Sequence, residues 1–303
     1  MYERTPMQTA LEEIEKQLAD RLDLALAARR AGMSEYHLKR SFSLLTGRSL
    51  SDYIRERRLT LAAMDLRRGE KVLDTALRYG YESPDSFSRA FARFHGLPPS
   101  EVRRSDVRLN ACTPYHIKLS LEGGSMLDYR IVRKDGFTLL GYRRRFAGTP
   151  ESEERFTQEE QLFVSTRAYQ WMLRGISDDT DPNREYVVLD QIGDEQYDFW
   201  YGCIPQAWSL EHLYDESVTG IDFMERFGFE TLSVPAGAYA VFQTPLTGKP
   251  IEEYKALRRR IAEEFLPATG YRLRPAAELA VYHWTLPQER QKRYIEIRLP
   301  VEG

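Results

Sequence analysis

The sequence predicts a multidomain protein of two fold classes, an all-α domain at the N-terminus and an α+β domain with a duplicated antiparallel sheet at the C-terminus. A helical pattern occurs twice in the first 110 residues, and its closing glycines, Gly47 and Gly96, are 49 residues apart. Strand and helix signals then recur in the remainder, with Gly136 and Gly237 101 residues apart. Charge differs between the halves, since residues 1–110 carry a net charge of +4 and residues 111–303 one of −7.

The first copy of the helical pattern follows an amphipathic helix with apolar residues at helical spacing from Leu11 to Leu22. It consists of a helix over Leu24–Arg30, a turn at Gly32 and a second helix with Ser34 as its N-cap. One apolar stripe of this second helix is formed by Leu38, Phe42 and Leu45. Its remaining side chains are predicted to point outward: Glu35, Tyr36, Lys39, Arg40 and Ser43.

A longer helix is predicted from Ser49 or Ser51, either of which is a good N-cap, to about Arg68, with Gly69 as its stop. About 20 residues in a helix span about 30 Å, and one turn of B-DNA is about 34 Å. A rigid connector of this length would hold two recognition helices in successive major grooves of one duplex.

The second copy repeats the arrangement, with Gly80 in the turn, Ser83 as N-cap and Pro84 at the first helical position. Its apolar stripe is formed by Phe87, Phe91 and Phe94. Its outward positions are Asp85, Ser86, Arg89 and Arg93. Each copy therefore has the layout of a helix-turn-helix, whose second helix enters the major groove of DNA.

Four segments carry a family resemblance: Ala-Gly-Met-Ser and Leu-Lys-Arg-Ser-Phe in the first copy, and Phe-Ser-Arg-Ala-Phe and Gly-Leu-Pro-Pro in the second. With them, residues 8–106 resemble the AraC/XylS family of transcription regulators. In that family the base-reading residues occupy the exposed face of each recognition helix. The resemblance implies this role for Tyr36, Lys39, Arg40, Asp85, Ser86 and Arg89.

The chemistry of these positions fits base reading unequally. Arg40 and Arg89 can each donate two hydrogen bonds to guanine, unless a buried salt bridge holds one of them. Asp85 can accept from cytosine N4, or it can favour the helix N-terminus electrostatically. Other basic residues would contact phosphates and add affinity without sequence information. The full predicted DNA-binding set is Tyr36, His37, Lys39, Arg40, Arg48, Asp85, Ser86, Arg89 and Arg93.

Residues 108–126 are predicted to link a DNA-binding domain of residues 1–107 to a second domain of residues 127–303. A short strand over His116–Leu121 is expected inside this linker. In the second domain, strand signals around Asp135-Gly136 predict a β-hairpin of Tyr129–Lys134 and Phe137–Arg143. A helix over Ser152–Leu173 and strands over Tyr186–Leu189 and Tyr197–Ile204 follow.

This succession recurs with a hairpin around Pro235-Ala236-Gly237, a helix over Ile251–Leu266, and strands over Leu279–Thr285 and Arg293–Pro300. Two hairpin–helix–hairpin units predict a pseudo-twofold α+β domain with helices on one face of an antiparallel sheet.

Two segments of this domain carry a second resemblance, Val-Pro-Ala-Gly-Ala-Tyr-Ala-Val-Phe at 234–242 and Tyr-Ile-Glu-Ile-Arg-Leu-Pro at 294–300. With them, residues 127–301 resemble the GyrI-like superfamily of effector-binding, SHS2-duplicated domains. The resemblance implies a cleft that takes small ligands, often lipophilic cations. Aromatic faces and a desolvated carboxylate, which the family commonly combines in this cleft, both attract a cation.

The candidate ligand-binding residues are therefore aromatic or acidic: Trp171, Tyr197, Phe199, Tyr201, Trp208, Glu278, Tyr282, Trp284 and Glu296. Ala280 stands where the family often has Glu, and Glu278 on the same strand face is expected to substitute for it. Tyr197, Phe199 and Tyr201 share one strand face and Trp200 the other, so only one set can line a cleft. Aromatic residues at strand positions are equally expected in a core.

Composition excludes several functions. No apolar run approaches the roughly 18 residues of a membrane span, and the N-terminus has no signal-peptide core, so a cytoplasmic protein is expected. Cys112 and Cys203 alone form neither a disulfide framework nor a cysteine zinc site, and we expect neither a metal site nor a cofactor. No catalytic motif is recognisable, so the chain is not expected to be an enzyme.

The leading hypothesis is a one-component transcription regulator that binds double-stranded DNA and is controlled by a small cationic or aromatic effector in the C-terminal domain. RNA polymerase is a further candidate partner. The alternatives are a ligand-sequestering protein, or a small-molecule hydrolase that uses Glu278 or Glu296 with a tyrosine.

Overall fold

The computed structural model describes residues 5–104, 106–117, 127–167, 170–178, 184–207, 209, 212, 222–285 and 287–302. The chain divides into two compact units, Met1–Phe42 with Arg48–Gly123, and Ser43–Gly47 with Gly124–Gly303. Helices build the first unit, and an antiparallel sheet with helices builds the second. The predicted combination of an all-α and an α+β domain is therefore confirmed.

Six helices precede residue 96: α1 (Pro6–Lys16), α2 (Leu24–Arg30), α3 (Glu35–Thr46), α4 (Leu50–Arg67), α5 (Val72–Arg78) and α6 (Pro84–His95). A 3-10 turn over Pro99–Glu101 follows them. The two helix pairs α2–α3 and α5–α6 are the two predicted helix-turn-helix motifs, with Gly32 and Gly80 at positive φ in their turns.

The helix ends follow the capping residues of the sequence. Ser49 begins α4, because its Oγ accepts a hydrogen bond from the backbone N–H of Asp52 at 3.0 Å. Ser83 begins α6 by accepting from the N–H of Ser86 at 3.2 Å, with Pro84 at the first helical position. The connector α4 has 18 residues and spans about 27 Å, close to the predicted length.

One hydrophobic core of the helical unit lies between α4, α5 and α6. Leu59 and Leu66 of α4 pack with Phe87 and Phe91 of α6, and all four side chains are buried. Tyr79, at the end of α5, donates its hydroxyl hydrogen bond to Asp65 of α4 at 3.0 Å. The predicted phenylalanine stripe of α6 is thus the surface that fixes the second motif to the connector.

Helix α3 is buried over a wider surface than one apolar stripe. Leu38 and Phe42 are buried as predicted. A second row of buried side chains lies beside them at positions i, i+3, i+4 and i+7: His37, Arg40, Ser41 and Leu44. Arg40 and Ser43, which the sequence predicted to point outward, are buried in the structure.

The chain segment after residue 108 is packed along α4. The N–H of Cys112 donates to Thr60 Oγ1 at 3.0 Å, and Arg57 donates to the Cys112 carbonyl at 2.5 Å. The N–H of Ile117 donates to Gln8 Oε1 at 2.9 Å. Residues 109–117, called the strap below, therefore belong to the helical unit. No strand begins at residues 116–117, and residues 118–121 of the predicted strand lie outside the described residues.

The second unit contains nine strands and five α-helices within the described residues. The first repeat comprises β1 (Arg130–Lys134), β2 (Phe137–Ala147), α7 (Glu154–Thr166), α8 (Gln170–Ile176), β3 (Arg184–Asp190) and β4 (Gln196–Cys203). The second comprises α9 (Phe223–Phe227), β5 (Glu230–Val234), β6 (Gly237–Gln243), α10 (Pro250–Arg260), α11 (Leu266–Thr269), β7 (Arg272–Leu273), β8 (Glu278–His283) and β9 (Tyr294–Glu302). A π-helical turn, Ile261–Phe265, joins α10 to α11, and a 3-10 turn, Pro287–Lys292, precedes β9.

The two repeats exchange their first strands. The sheet order is β1-β6-β9-β8-β3-β4-β2-β5, with β7 paired to β9. Strand β1 pairs with β6, Lys134 opposite Gly237, and β2 pairs with β5, Phe137 opposite Val234. The predicted hairpins around residues 135–136 and 235–237 are therefore wrong, because each two-residue connection crosses to the other repeat instead of closing a hairpin. The predicted pseudo-twofold duplication is retained.

This exchange forces the sheet to curl. Strands β1 and β2 are six strand spacings apart, roughly 29 Å in a flat sheet, yet Asp135 and Gly136 can bridge only about 11 Å. The second connection, residues 235–236, imposes the same closure. The two connections lie side by side, since a Cβ on Gly136 would be 3.2 Å from the Val234 carbonyl oxygen. The curled face encloses an apolar core that includes Leu139, Tyr186, Val188, Trp200, Tyr239, Val241, Leu279 and Val281.

The opposite sheet face carries α7 and α10. The Tyr282 hydroxyl of β8 donates to Glu159 of α7 at 3.2 Å, and Arg258 of α10 donates to Glu278 of β8 at 2.8 Å. The two helices meet where Arg155 of α7 donates to the Tyr254 hydroxyl of α10 at 3.0 Å. The sheet therefore has one core inside its curl and a second core under its helices.

The pairing of β2 with β4 depends on two glycines. Gly141 lies opposite Gly202, and a Cβ on either would overlap the backbone carbonyl of the facing strand. We expect Gly141→Ala to lower the free energy of unfolding by about 2–3 kcal/mol through this overlap, measured by urea denaturation. Gly175→Ala is the control, because Gly175 is a helical position with open space where a Cβ would lie. It should be neutral or stabilising by up to about 1 kcal/mol. Equal stability of the two variants would contradict the close approach.

Candidate functional site

The exposed face of α6 offers a row of charged side chains. Asp85, Arg89 and Arg93 are all exposed and follow one another at i, i+4 and i+8, which places them along one line of the helix. Ser86 is half-buried, and its hydroxyl donates to the Ser83 carbonyl at 2.8 Å. Among the described residues, Arg89 and Arg93 form no ion pair, so their guanidinium groups are available to bases or phosphates.

The corresponding face of α3 is arranged differently. Tyr36 and Lys39 are half-buried, and Lys39 pairs with Glu35 at 2.9 Å. His37 and Arg40 are buried. Arg48, after α3, pairs with Glu56 of α4 at 2.6 Å. Of the two equivalent arginines, Arg89 alone is exposed, and base reading by Arg40 stays a prediction.

A pocket of about 460 Å³ lies on the helix-covered side of the second unit. It is bordered by α7, by the start of α8 and of α10, and by the end of β8. Four of its lining residues are aromatic: Phe156, Phe163, Tyr282 and Trp284. The others are Glu159, Glu160, Val164, Arg167, Gln170 and Ile251.

A buried ion pair forms the floor of this pocket. Glu159 is 4% exposed, and its Oε2 lies 3.4 Å from Nε of Arg155, which is completely buried. Glu159 Oε1 accepts from the Tyr282 hydroxyl at 3.2 Å. Neither Glu159 Oε2 nor Nε and Nη2 of Arg155 has a hydrogen-bond partner of good geometry among the described residues. These three atoms are enclosed by the protein beneath the pocket, where Arg155 and Glu159 form an ion pair without a hydrogen bond of good geometry.

The aromatic wall is fixed in position by a carboxylate. Trp284 stacks on Tyr282 with ring centroids 5.6 Å apart, and its Nε1 donates to Glu185 Oε2 at 2.7 Å. Glu185 also accepts from Arg174 of α8 at 2.5 Å. Because the indole has a charged acceptor, one orientation of the Trp284 ring is favoured over its flipped alternative.

The two carboxylates that the sequence suggested lie elsewhere. Glu278 is buried but accepts from Arg258 at 2.8 Å, so its charge is balanced within the protein. Glu296 points to the other sheet face, where it pairs with Arg130 at 2.6 Å and Arg298 at 2.5 Å. Neither borders the pocket. A ligand-binding role for either of them stays a prediction.

The predicted aromatic residues divide into several groups. Tyr282 and Trp284 border the pocket. Tyr197, Phe199 and Tyr201 are buried between the sheet and α7, where Phe163 contacts Phe199 and Tyr201 edge to face. Trp171 is 68% exposed on α8 and does not line the pocket. Trp208 lies outside the described residues.

Sequence reasoning missed the residues that α7 contributes, chiefly Phe156, Glu159 and Phe163. Their signal was present: Phe156 and Phe163 are seven residues apart on one helix face, and Glu159 lies between them. An acidic residue on the apolar face of a predicted helix indicates a buried carboxylate, which must be paired or functional.

Among the described residues no group of His, Cys, Asp and Glu could hold a metal ion. None of the described helices is long and apolar enough to cross a membrane.

Comparison with known proteins gives matches in both halves of the chain. A family profile described as a helix-turn-helix domain matches residues 27–105, and one described as an integron-associated effector binding protein matches residues 224–301. Regulatory protein SoxS of Salmonella typhimurium (strain LT2) is 39% identical over 98 residues, 32% of this chain and 92% of that protein. Multiple antibiotic resistance protein MarA of Escherichia coli (strain K12) is 37% identical over 99 residues, 32% of this chain and 78% of that protein.

Two solved structures are similar to the second unit. SAV2435 bound to tetraphenylphosphonium matches 58% of this chain and 95% of that chain, with 11% identity and a TM-score of 0.45. The integron cassette protein VCH_CASS2 of Vibrio cholerae matches 57% of this chain and 95% of that chain, with 14% identity and a TM-score of 0.37.

The tandem helix-turn-helix motifs and these relatives define a DNA-binding transcription regulator. The chain belongs to the AraC family, since its first third aligns with nearly the whole length of SoxS. The GyrI-like resemblance of its C-terminal half agrees with the match of residues 224–301 to the effector-binding profile.

The buried Glu159 gives stability a pH dependence. Burial raises the pKa of Glu159 above its ordinary value, and the attraction of Arg155 and the bond from Tyr282 offset this only in part. The folded state then binds the proton more tightly than the unfolded chain, so this stabilisation is present at low pH and lost as the pH rises through the folded-state pKa. Glu159→Gln removes this titration. The free energy of unfolding of the variant minus that of the wild type should therefore increase as the pH rises from about 4.5 to about 8.

Urea titrations across this pH range provide the measurement. Glu160→Gln is the matched control, since Glu160 is an exposed neighbour on the same helix. A Glu159→Gln difference from wild type that does not change with pH would contradict the raised pKa.

Proposed function

We propose that this regulator binds its promoter through α3 and α6 and is controlled by a small aromatic effector bound in the pocket of the second unit. The single observation that carries the effector site is a pocket of about 460 Å³ lined by four aromatic side chains, with Glu159 in its lining.

The DNA-binding part of the proposal is supported by geometry and charge. The exposed row of Asp85, Arg89 and Arg93 presents two arginines that can bond guanine or phosphate. The 18-residue α4 has nearly the length that separates two major grooves on one face of a duplex. A monomer with two such motifs is therefore long enough to contact two adjacent groove segments.

The effector part is supported by the pocket itself. Its volume of about 460 Å³ falls within the roughly 300–1,000 Å³ typical of small-molecule sites, which are apolar with few polar groups. Four aromatic side chains surround one buried carboxyl group, and Trp284 is held in place by Glu185. An ordered aromatic wall reduces the entropy lost when a planar ligand binds.

Control of DNA binding requires that the effector bind two states of the protein with different affinity. The coupling is reciprocal, so an effector that strengthens or weakens DNA binding is itself bound more or less tightly by the DNA complex. The change in DNA affinity caused by the effector and the change in effector affinity caused by DNA therefore report the same coupling free energy.

Arg89→Ala should weaken specific DNA binding by about 1–3 kcal/mol, because a bidentate arginine–guanine contact is lost. Fluorescence anisotropy with DNA from upstream of this protein's own coding region, against a scrambled duplex and across a salt series, is the measurement. Arg144→Ala is the charge-matched control, since Arg144 is exposed on β2 of the second unit. Equal losses for Arg89→Ala and Arg144→Ala, or for both duplexes, would indicate only a general electrostatic effect.

Trp284→Ala should weaken the binding of an aromatic effector by about 1–3 kcal/mol through loss of the stacking surface. It should leave DNA affinity without effector unchanged. Calorimetry with a panel of bicyclic aromatic compounds, followed by DNA titration in the presence of any that binds, provides the measurement. Trp171→Ala is the control, because Trp171 is exposed outside the pocket. An effector that binds but never changes DNA affinity would contradict the regulatory role.

A further inference from the structure

The inner face of the curled sheet, which encloses the apolar core, carries basic side chains next to Gly237. Lys134 is the last residue of β1 and lies opposite Gly237, the first residue of β6. Residues that face each other in antiparallel strands have Cα atoms about 5 Å apart and point to the same side of the sheet. Val132, two residues before Lys134, packs against the apolar core. The side chain of Lys134 therefore leaves β1 on the inner face.

Arg274, just after β7, occupies the space that Gly237 leaves open. A Cβ on Gly237 would overlap Nη2 of Arg274 and would lie 2.7 Å from its Cζ. The guanidinium is also 5.5 Å from the ring centroid of Tyr239, and the backbone N–H of Arg274 donates to the Pro300 carbonyl at 3.1 Å. The guanidinium of Arg274 is therefore held over Gly237, beside the point where Lys134 leaves its strand.

Neither of these two cations is neutralised. Among the described residues, Lys134 and Arg274 form no ion pair, and both side chains are half-buried. Nη2 of Arg274 is enclosed by the protein, but Nε and Nη1 of Arg274 and Nζ of Lys134 are not. These last three nitrogen atoms are the ones that a ligand can reach.

Two further cations on the inner face are only half neutralised. Arg130 of β1 and Arg298 of β9 both lie opposite Val241 of β6. Both pair with Glu296, Arg130 at 2.6 Å and Arg298 at 2.5 Å. One carboxylate thus balances two guanidinium groups, which leaves one positive charge in excess.

The pKa of Lys134 reflects this concentration of positive charge. Burial lowers it, and the charges of three neighbouring cations lower it further: Arg298, Arg130 and Arg184. Glu296 opposes them only in part. A second carboxylate, Asp190, acts on Tyr239. The group is a local concentration of positive charge, since residues 111–303 carry a net charge of −7.

We propose that Lys134 and Arg274 bind a small dianion of the phosphate type, at a site separate from the pocket bordered by α7. The carboxylates Glu296 and Asp190 are outnumbered by two charges by the cations of this face: Lys134, Arg274, Arg130 and Arg298. A dianion would neutralise this excess. The planar guanidinium can bond two oxygens of one phosphate group, and the ammonium group can bond a third. Because both cations are half-buried on an enclosed face, a small anion reaches them more readily than the backbone of a nucleic acid.

Inorganic phosphate and phenyl phosphate are the probes, because both are mainly dianions at about pH 8. Calorimetric titration of the full-length protein at constant ionic strength should show saturable binding of both. Acetate, a monoanion, should bind at least about tenfold more weakly than phosphate.

Lys134→Met and Arg274→Met should each weaken phosphate binding about tenfold, because each removes a charge-assisted hydrogen bond. Arg133→Met and Arg272→Met are the matched controls. Arg133 precedes Lys134 on the opposite face of β1, and Arg272 is exposed on β7. Each control removes one positive charge nearby, so phosphate affinity should change by less than about twofold.

Gly237→Ala tests the geometry without removing a charge. The new methyl group takes the position of the Arg274 guanidinium, which must move away. Phosphate binding should therefore weaken about fivefold, although the net charge is that of the wild type. Gly175→Ala is the control, because a Cβ on Gly175 lies in open space, and it should leave phosphate binding unchanged.

Equal losses for Lys134→Met and Arg133→Met would indicate general electrostatic attraction and would overturn the site. Wild-type affinity for phosphate in Gly237→Ala would overturn the contact with Arg274. Absence of saturable phosphate binding by the wild-type protein would overturn the proposal outright. If Lys134→Met and Arg274→Met then lowered the affinity for duplex DNA, measured by fluorescence anisotropy, these cations would contact nucleic acid instead of a small anion. None of these results depends on the aromatic effector.

Discussion

The exchange of first strands between the two repeats is the constraint on which the second unit depends. Because β1 pairs with β6 and β5 pairs with β2, neither repeat has a complete sheet of its own. Two short connections then force the sheet to curl, which buries one face on itself and leaves the other to α7 and α10. The pocket exists because α7 stands on this outer face, with Glu159 above Tyr282 of the other repeat. Loss of either donated strand would open the sheet beneath the pocket as well as at its edge.

Local features of the sequence predicted the helical unit well. Caps at Ser49 and Ser83 and the phenylalanine stripe of α6 are short-range signals, and local hydrogen bonding and periodicity determine them. The strand exchange could not be read in this way, because a two-residue connection such as Asp135-Gly136 has the same local preferences whether its strands pair with each other or with distant ones. Register and partner choice depend on the whole sheet. All strands except β7 were therefore predicted, and so were the pairs β3–β4 and β8–β9. The partners of β1 and β5 were predicted wrongly.

The candidate site shows a similar division. Tyr282 and Trp284, two of the aromatic candidates, border the pocket, whereas its carboxyl group comes from helix α7 and the predicted carboxylates lie on strands. Sequence alone could not separate Glu159 from Glu278, since both are acidic residues in apolar surroundings. The difference lies in three-dimensional pairing: Arg258 bonds Glu278 at 2.8 Å, whereas Arg155 approaches Glu159 without a hydrogen bond of good geometry.

The strap has a practical consequence for dissecting the molecule. Family boundaries place the end of the DNA-binding region near residue 105, but Thr60 and Arg57 of α4 bond the backbone of Cys112, and Gln8 bonds that of Ile117. A fragment cut at residue 107 would leave these side chains without their partners along the helix that joins the two motifs. A DNA-binding fragment that keeps these bonds therefore ends no earlier than about residue 117.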